Sequence, residues 1–142
     1  MHFRQTIRDA LKARATALPG MSSLPVESIA QAEAHQKLPV AAVTLKEEQN
    51  GERVDEADGS VSSPRTLKAS IVLVSENPLD LEKMAEQLEI RMVPDLEAGV
   101  QTRFIGTRFQ DPARGERDLF SCALDFEFTY SLPVSDPSRV TA

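Results

Sequence analysis

The chain has 142 residues, of which 41% are hydrophobic and 27% charged, and its formal net charge is −6. These values predict a single folded domain that buries a core without disulfides or a structural metal, and they exclude a wholly disordered chain. The acidic balance and the lack of a dense Lys/Arg run argue against tight nucleic-acid binding, while the single cysteine excludes an internal disulfide and suits a reducing compartment.

The N-terminal segment has the pattern of an amphipathic helix from about residue 2 to 17. Pro19 and Gly20 supply a stop signal. Charges occur at every turn, which excludes a membrane span and a secretory signal, and Asp9 favours a domain helix over an organellar transit peptide. The polar stripe of this helix is either a solvated face or a patch for docking a partner, and it comprises Arg4, Arg8 and Lys12.

Two β-strands are predicted next, on either side of an acid-rich stretch. Residues 21–38 show no sustained period and fit either a short strand or a helical turn. The apolar run PVAAVTLK, residues 39–46, predicts a largely buried strand, and TLKASIVLVS, residues 66–75, alternates so that one face points to a core.

The acid-rich stretch between these strands carries most of the net charge. Six acids and one arginine within residues 47–60 give −5 of the total −6. Composition alone is typical of a disordered surface insertion, but strands on both flanks predict a long hairpin connection. Its charged residues are candidates for an assembly or bore-lining loop: Glu47, Glu48, Glu52, Arg53, Asp55, Glu56 and Asp58.

A second helix follows, with strong start and stop signals. Asn77 is a plausible N-cap, Pro78 occupies the first helical position, and Pro94 ends the helix. Its apolar face has the spacing i, i+3, i+4, i+7 and comprises Leu81, Met84, Ala85, Leu88 and Met92.

The last third of the chain predicts two more strands. Residues 101–110 form a strand anchored by Phe104 and Phe109, and Gly106 between them indicates a bulge or a close backbone approach. Strict alternation from Phe120 to Leu132 then predicts a long strand with one apolar and one polar face, followed by a loose tail from residue 133.

Together these elements predict an α+β domain spanning residues 1–132. Its sheet has about four mostly antiparallel strands and packs on two helices, with the acidic hairpin projecting from it. On the polar face of the last strand, Asp125 and Glu127 could form an acid/base pair, but they more simply decorate a surface that faces solvent or another subunit.

The sequence offers few other candidates for chemistry. The common motifs for phosphate, dinucleotide, zinc and acyl-transfer chemistry do not occur. His2 and His35 have no helical partner at metal-ligand spacing, and Cys122 lies on the apolar face of the last strand, where a thiol acts as a small hydrophobe. No cofactor or metal is therefore expected.

In its order of elements the chain resembles the tail terminator proteins of long-tailed bacteriophages, which include the minor tail protein U of lambda-like phages. The resemblance covers residues 1–132 and rests on LPVAAVTL, the acidic stretch, RTLKASIVLVS, NPLDLEKMAEQLE and a closing strand with FEFTY. Residues 21–38 depart from the family pattern, being longer and richer in alanine and glutamine.

The resemblance implies a structural protein without catalytic residues. Members of that family form a ring, typically of six subunits, on the head-proximal end of the tail tube, where they stop polymerisation and present a surface to head-completion or neck proteins. DNA later passes through the bore without specific binding. The implied location is the virion tail, after synthesis in the host cytoplasm, with no contact to a membrane.

Two other functions stay open at this point. A head-completion or neck connector protein would share the same general pattern. A small ligand-binding or enzymatic α+β domain would need a site between the sheet and residues 21–38, built from His35, Asp125 or Glu127.

Overall fold

A computed structural model describes residues 3–19, 21–23, 38–55, 59, 61–112 and 118–133. The first helix, predicted from about residue 2 to 17, is described from residue 3 onward. The ambiguous region 21–38 lies mostly outside the described residues, and of the tail predicted from residue 133 the structure describes Pro133 alone, at the end of a strand. The described residues form two helices and six strands in this order: α1 Phe3–Thr16, β1 Ser22–Ser23, β2 Val40–Asn50, β3 Val54–Asp55, β4 Val61–Ser75, α2 Pro78–Arg91, β5 Gln101–Phe109 and β6 Phe120–Pro133.

The strands form one mostly antiparallel sheet in the order β1-β2-β4-β6-β5, with β3 also paired to β4. Among the strand pairs of the described part of the chain, only the short β1–β2 pair is parallel. The centre of the sheet is the β4–β6 ladder, which runs without interruption from the Ser62–Pro133 pair to the Ser75–Phe120 pair. The predicted α+β class, with two helices and four principal antiparallel strands, is confirmed.

The main core lies between the helices and one face of the sheet. Helix α1 packs on β2, while α2 packs on β4 and β6. The alternation predicted for β6 is confirmed, because its even-numbered apolar residues face this core and pair across the sheet with the odd-numbered apolar residues of β4. The largest fully buried side chains here include Ile7, Leu11, Leu73, Leu88, Leu124, Phe126 and Phe128.

One end of the opposite face is also buried, which the prediction of a single core face did not include. Val40, Ala42, Val74 and Leu119 form a second small apolar cluster there. The reason is visible in the sequence, since VAAV in β2 and IVLV in β4 are continuous apolar runs rather than alternating ones. Such runs are typical of strands covered on both sides.

The strands β2 and β4 extend further into the acid-rich stretch than the apolar pattern predicts. β2 pairs with β4 out to the Asn50–Arg65 pair, and β3 continues the pairing to Asp55–Val61. The Gly51 amide donates to the Pro64 carbonyl at 2.8 Å and joins the two segments. Most of the described part of the stretch is therefore paired backbone, with residues 51–53 joining β2 to β3. We name residues 47–55 the acidic arm.

Bulges interrupt β2 and β5 at the same level of the sheet. In β2 the register shifts between Leu45 and Glu47, so that Lys46 is the extra residue. In β5 it shifts between Phe104 and Gly106, so that Ile105 is extra, as Gly106 indicated. The two bulges flank the Ala69–Phe126 pair of the central ladder, and each reverses which side chains face the helices.

Helix α2 is capped at both ends. The N-terminal cap is the one that its sequence predicts, and the C-terminal cap is a side chain from another helix. The Asn77 side chain accepts hydrogen bonds from the amides of Leu79 and Asp80, at 2.9 and 3.3 Å. At the other end, the guanidinium of Arg14 in α1 donates to the carbonyls of Arg91, Pro94 and Asp95 at 3.1, 2.6 and 2.6 Å. A cation at a helix C-terminus also favours the helix dipole.

Candidate functional site

On the open face of the sheet, Asp125 of β6 is the centre of an ion-pair cluster. Arg108 of β5 donates to it twice, from Nε at 2.7 Å and from Nη2 at 3.1 Å. Lys46 Nζ lies 3.6 Å from the same carboxylate, and the Ser70 hydroxyl also donates to it. Four strands thus contribute one side chain each to the cluster.

The bulges explain why these side chains meet. Ser70 lies directly opposite Asp125 in the β4–β6 ladder, and Gly106 lies opposite it on β5. The extra residue Ile105 changes the alternation of β5, so that Arg108 shares the open face with Asp125. The alternation of β6 predicts that Asp125 lies on this face, but its partners depend on strand register, which the alternation does not reveal.

The charge state of Asp125 makes it a structural acceptor. Its hydrogen bond with Arg108 is the main cause that lowers the pKa of the carboxyl to about 2. Burial, the second-largest effect, opposes this, while the Ser70 hydroxyl and the charges of Arg108 and Lys46 lower the pKa further. The same contact raises the pKa of Arg108. A carboxylate that stays ionised and bound in this way is poorly suited to act as a general acid at neutral pH.

The predicted pair of Asp125 and Glu127 does share one face, but the two carboxylates have different neighbours. Glu127 lies opposite Lys68 in β4 and Arg103 in β5. A shallow depression of about 240 Å³ lies between the bulges and is lined by residues that include Lys46, Lys68, Ile105, Asp125 and Glu127. Alternating charges of this kind suit a polar contact surface more than a proton-transfer site.

A second cluster lies on the helix side of the sheet, around Glu48. The β2 bulge moves Glu48 to this side, where its side chain is only 8% exposed. Arg65 Nη1 donates to it at 2.8 Å, and Arg4 Nε of α1 lies 3.2 Å from its other oxygen. Glu48 was expected in an exposed loop, and the structure instead gives it a role in joining α1 to the sheet.

Tyr130 is buried beside this cluster. Its ring packs edge-on against Phe3, with the ring centroids 5.0 Å apart. Burial raises the pKa of the phenol well above its ordinary value, and the negative charge of Glu48 raises it further. The phenol therefore stays neutral in the folded protein at any physiological pH.

The residues of the basic stripe on α1 make contacts within the chain as well as facing solvent. Arg4 pairs with Glu48, and Arg8 Nη1 donates to Gln5 at 3.4 Å. A groove of about 410 Å³ between α1 and β2 is lined by Arg4, Gln5, Arg8 and the strand residues around Glu47. Lys12 is half-buried, so the stripe is not a continuous solvated face.

The acidic arm presents its other charges to solvent. Glu47, Glu52, Arg53 and Asp55 are exposed, and Glu47 lies 3.8 Å from Lys68 across the open face. Val54 is also exposed, at 48%. Glu56 and Asp58, the remaining candidates of this stretch, lie outside the described residues.

Strand β5 forms an edge that the sequence analysis did not recognise as a surface. It pairs with β6, and no other strand of the described residues pairs with its second side. Phe104 contacts Phe126 with centroids 5.4 Å apart, yet Phe104, Ile105 and Phe109 are 37%, 48% and 58% exposed. The two phenylalanines were expected as anchors of this strand, but the helices pack chiefly on the other strands and leave both side chains partly exposed.

The remaining candidates for chemistry contribute little. Cys122 is fully buried, and burial raises the pKa of its thiol to about 11. His2 and His35 lie outside the described residues. Within the described part of the chain, no cluster of three or more His, Cys, Asp or Glu side chains could hold a metal ion, and no helix is long and apolar enough to cross a membrane.

Comparison with protein-family models gave no match, and no curated protein matches the chain significantly.

Proposed function

We propose that this protein is a phage tail terminator, a structural subunit that forms a ring on the head-proximal end of the tail tube. In this role it stops polymerisation of the tube protein and provides the docking surface for the head or neck. The ring has about six subunits by the family resemblance, and the protein belongs to the virion tail. It acts through surface complementarity, without a cofactor.

The observation that supports this proposal most directly is the open edge of β5. A nine-residue edge strand with three exposed large hydrophobic side chains is a liability in a monomer, because it offers unpaired backbone groups and apolar surface to other chains. A protein that functions in an assembly can cover such an edge. The bound, ionised state of Asp125 also favours a structural role for the open face over proton transfer.

The proposal is tested by adding the purified protein to polymerising tail-tube protein from the same genome. We expect shorter tubes in electron micrographs and labelled protein at one end of each tube. Unchanged tube length and bare tube ends, with protein shown to be folded by circular dichroism, would overturn the proposal. A head or neck connector would instead bind the portal or head and leave free tubes unchanged, so a parallel binding assay with heads separates the two.

A further inference from the structure

Strands on opposite sides of the central β4–β6 ladder carry opposite charges. Strand β5, at one edge, has two arginines and no acidic residue between Gln101 and Phe109. On the far side of the β4–β6 ladder, β2 and β3 carry the acidic arm, where exposed Glu47, Glu52 and Asp55 outnumber Arg53. Both surfaces also expose large apolar side chains. These are Phe104, Ile105 and Phe109 on β5, and Val54 on the acidic arm.

We propose that the edge of β5 in one copy binds the acidic arm of a neighbouring copy. The edge offers backbone hydrogen-bonding groups and apolar side chains, and Arg103 supplies a positive charge. Arg108 is held by Asp125 within its own chain. Arg103 lies opposite Glu127 of β6 but is exposed at the edge, so it is the arginine placed to meet an acid of the neighbour. Complementary charge favours the alignment of the two copies that brings Arg103 next to an acid over alignments that do not.

A second copy of the chain is the occupant because both halves of the contact occur on one subunit. Their positions on opposite sides of the sheet make the contact heterologous, so that each copy binds one neighbour with β5 and the other with its acidic arm. Contacts of this type close into rings when the rotation between copies allows it. The choice of occupant rests on the proposed ring-forming function.

Charge reversal in the full-length chain tests the interface, with assembly measured by analytical ultracentrifugation. We expect Arg103→Glu and, separately, Asp55→Lys each to weaken self-association by about tenfold or more, because like charges then meet across the contact. Combining both changes in one chain restores opposite charges and is expected to recover most of the lost association. Matched reversals on the exposed face of α2, Lys83→Glu and Glu89→Lys, are expected to leave association unchanged.

Arg103→Glu also places a like charge opposite Glu127 within the chain, so thermal unfolding of every variant is recorded. Asp55→Lys does not touch β5 and keeps the test valid if the first variant is destabilised. A wild-type chain that stays monomeric, single reversals that associate normally, or a double variant without recovery would each overturn the inference. Rings that form as expected but leave tube ends bare would instead refute the proposed function alone.

Discussion

At the scale of single residues, Asp125 shows how a strand residue becomes a fixed acceptor. Its carboxylate has 21% exposed side-chain surface and contacts two cations and a hydroxyl. Because the folded state lowers its pKa, the unfolded chain takes up a proton first as the solution is acidified. The stability due to these contacts is therefore complete above the ordinary pKa of about 3.8 and is lost as the pH falls through about 2.

We expect Asp125→Asn to lower the free energy of unfolding by about 1 kcal/mol at neutral pH, a value reduced for solvent screening of a partly exposed pair. The difference from wild type should shrink as the pH falls from about 4 to about 2, since the wild-type carboxyl becomes neutral in that window. Urea unfolding at several pH values measures this. Glu127→Gln is the control, and a penalty for Asp125→Asn that is independent of pH would contradict the assignment.

At the scale of secondary-structure elements, the link between α1 and α2 depends on one side chain. Arg14 donates three hydrogen bonds to carbonyls at the C-terminal end of α2, that of its last residue, Arg91, and those of Pro94 and Asp95 beyond it. These carbonyls have no partner within the helix, so a guanidinium from a different helix both satisfies them and holds the two helices in register.

Substitution Arg14→Ala is expected to lower the free energy of unfolding by about 1 to 2 kcal/mol, because charged hydrogen bonds to carbonyls at the helix end are lost. Amide hydrogen exchange should rise at the end of α2, around Leu88 to Met92, and much less in β6. The control is Lys12→Ala on the same helix. Equal exchange in both variants would show that Arg14 does not hold this end.

The elements that sequence analysis predicted well are those with a sustained period. Residues 120–132 alternate almost without exception, and residues 78–92 combine a helical period with local start and stop signals, so β6 and α2 closely match their predicted bounds. The outer parts of β2 and β4 are polar and gain their strand form from cross-strand pairing. The bulge at Lys46 leaves no mark in the sequence, whereas Gly106 marks the one in β5.

The candidate site was harder to predict than the fold for a related reason. Asp125 could be placed on a face from its own strand, but Arg108, Ser70 and Lys46 reach it through register and two bulges. The sequence does not distinguish the buried Glu48 from its exposed acidic neighbours, because a one-residue shift in β2 decides whether its side chain points to solvent or to Arg65.

At the scale of the whole molecule, charge is distributed unevenly across the sheet. The acidic arm lies on the β2 side, and the arginines of β5 lie at the opposite edge. In the proposed contact, this polarity favours head-to-tail association over the reverse orientation. Exposed charges of this type act over a distance set by ionic strength.

We expect self-association to weaken as sodium chloride is raised, because the screening distance falls from about 30 Å at 0.01 M to about 3 Å at 1 M. Sedimentation velocity at constant protein concentration measures the oligomer fraction across this range. In the Asp55→Lys variant like charges meet across the contact, so the loss of association with rising salt should become smaller or reverse. Association that strengthens with salt would indicate that burial of Phe104, Ile105 and Phe109 dominates instead.

The position of Tyr130 has a practical consequence for experiments on this protein. The chain contains one tyrosine and no tryptophan, and that tyrosine lies where the start of α1 meets β6, between the ring of Phe3 and the Glu48 cluster. The tyrosine absorbance and fluorescence of the protein therefore come from a single place in the molecule. The protein carries a native optical reporter that senses the docking of its first helix, without any introduced label.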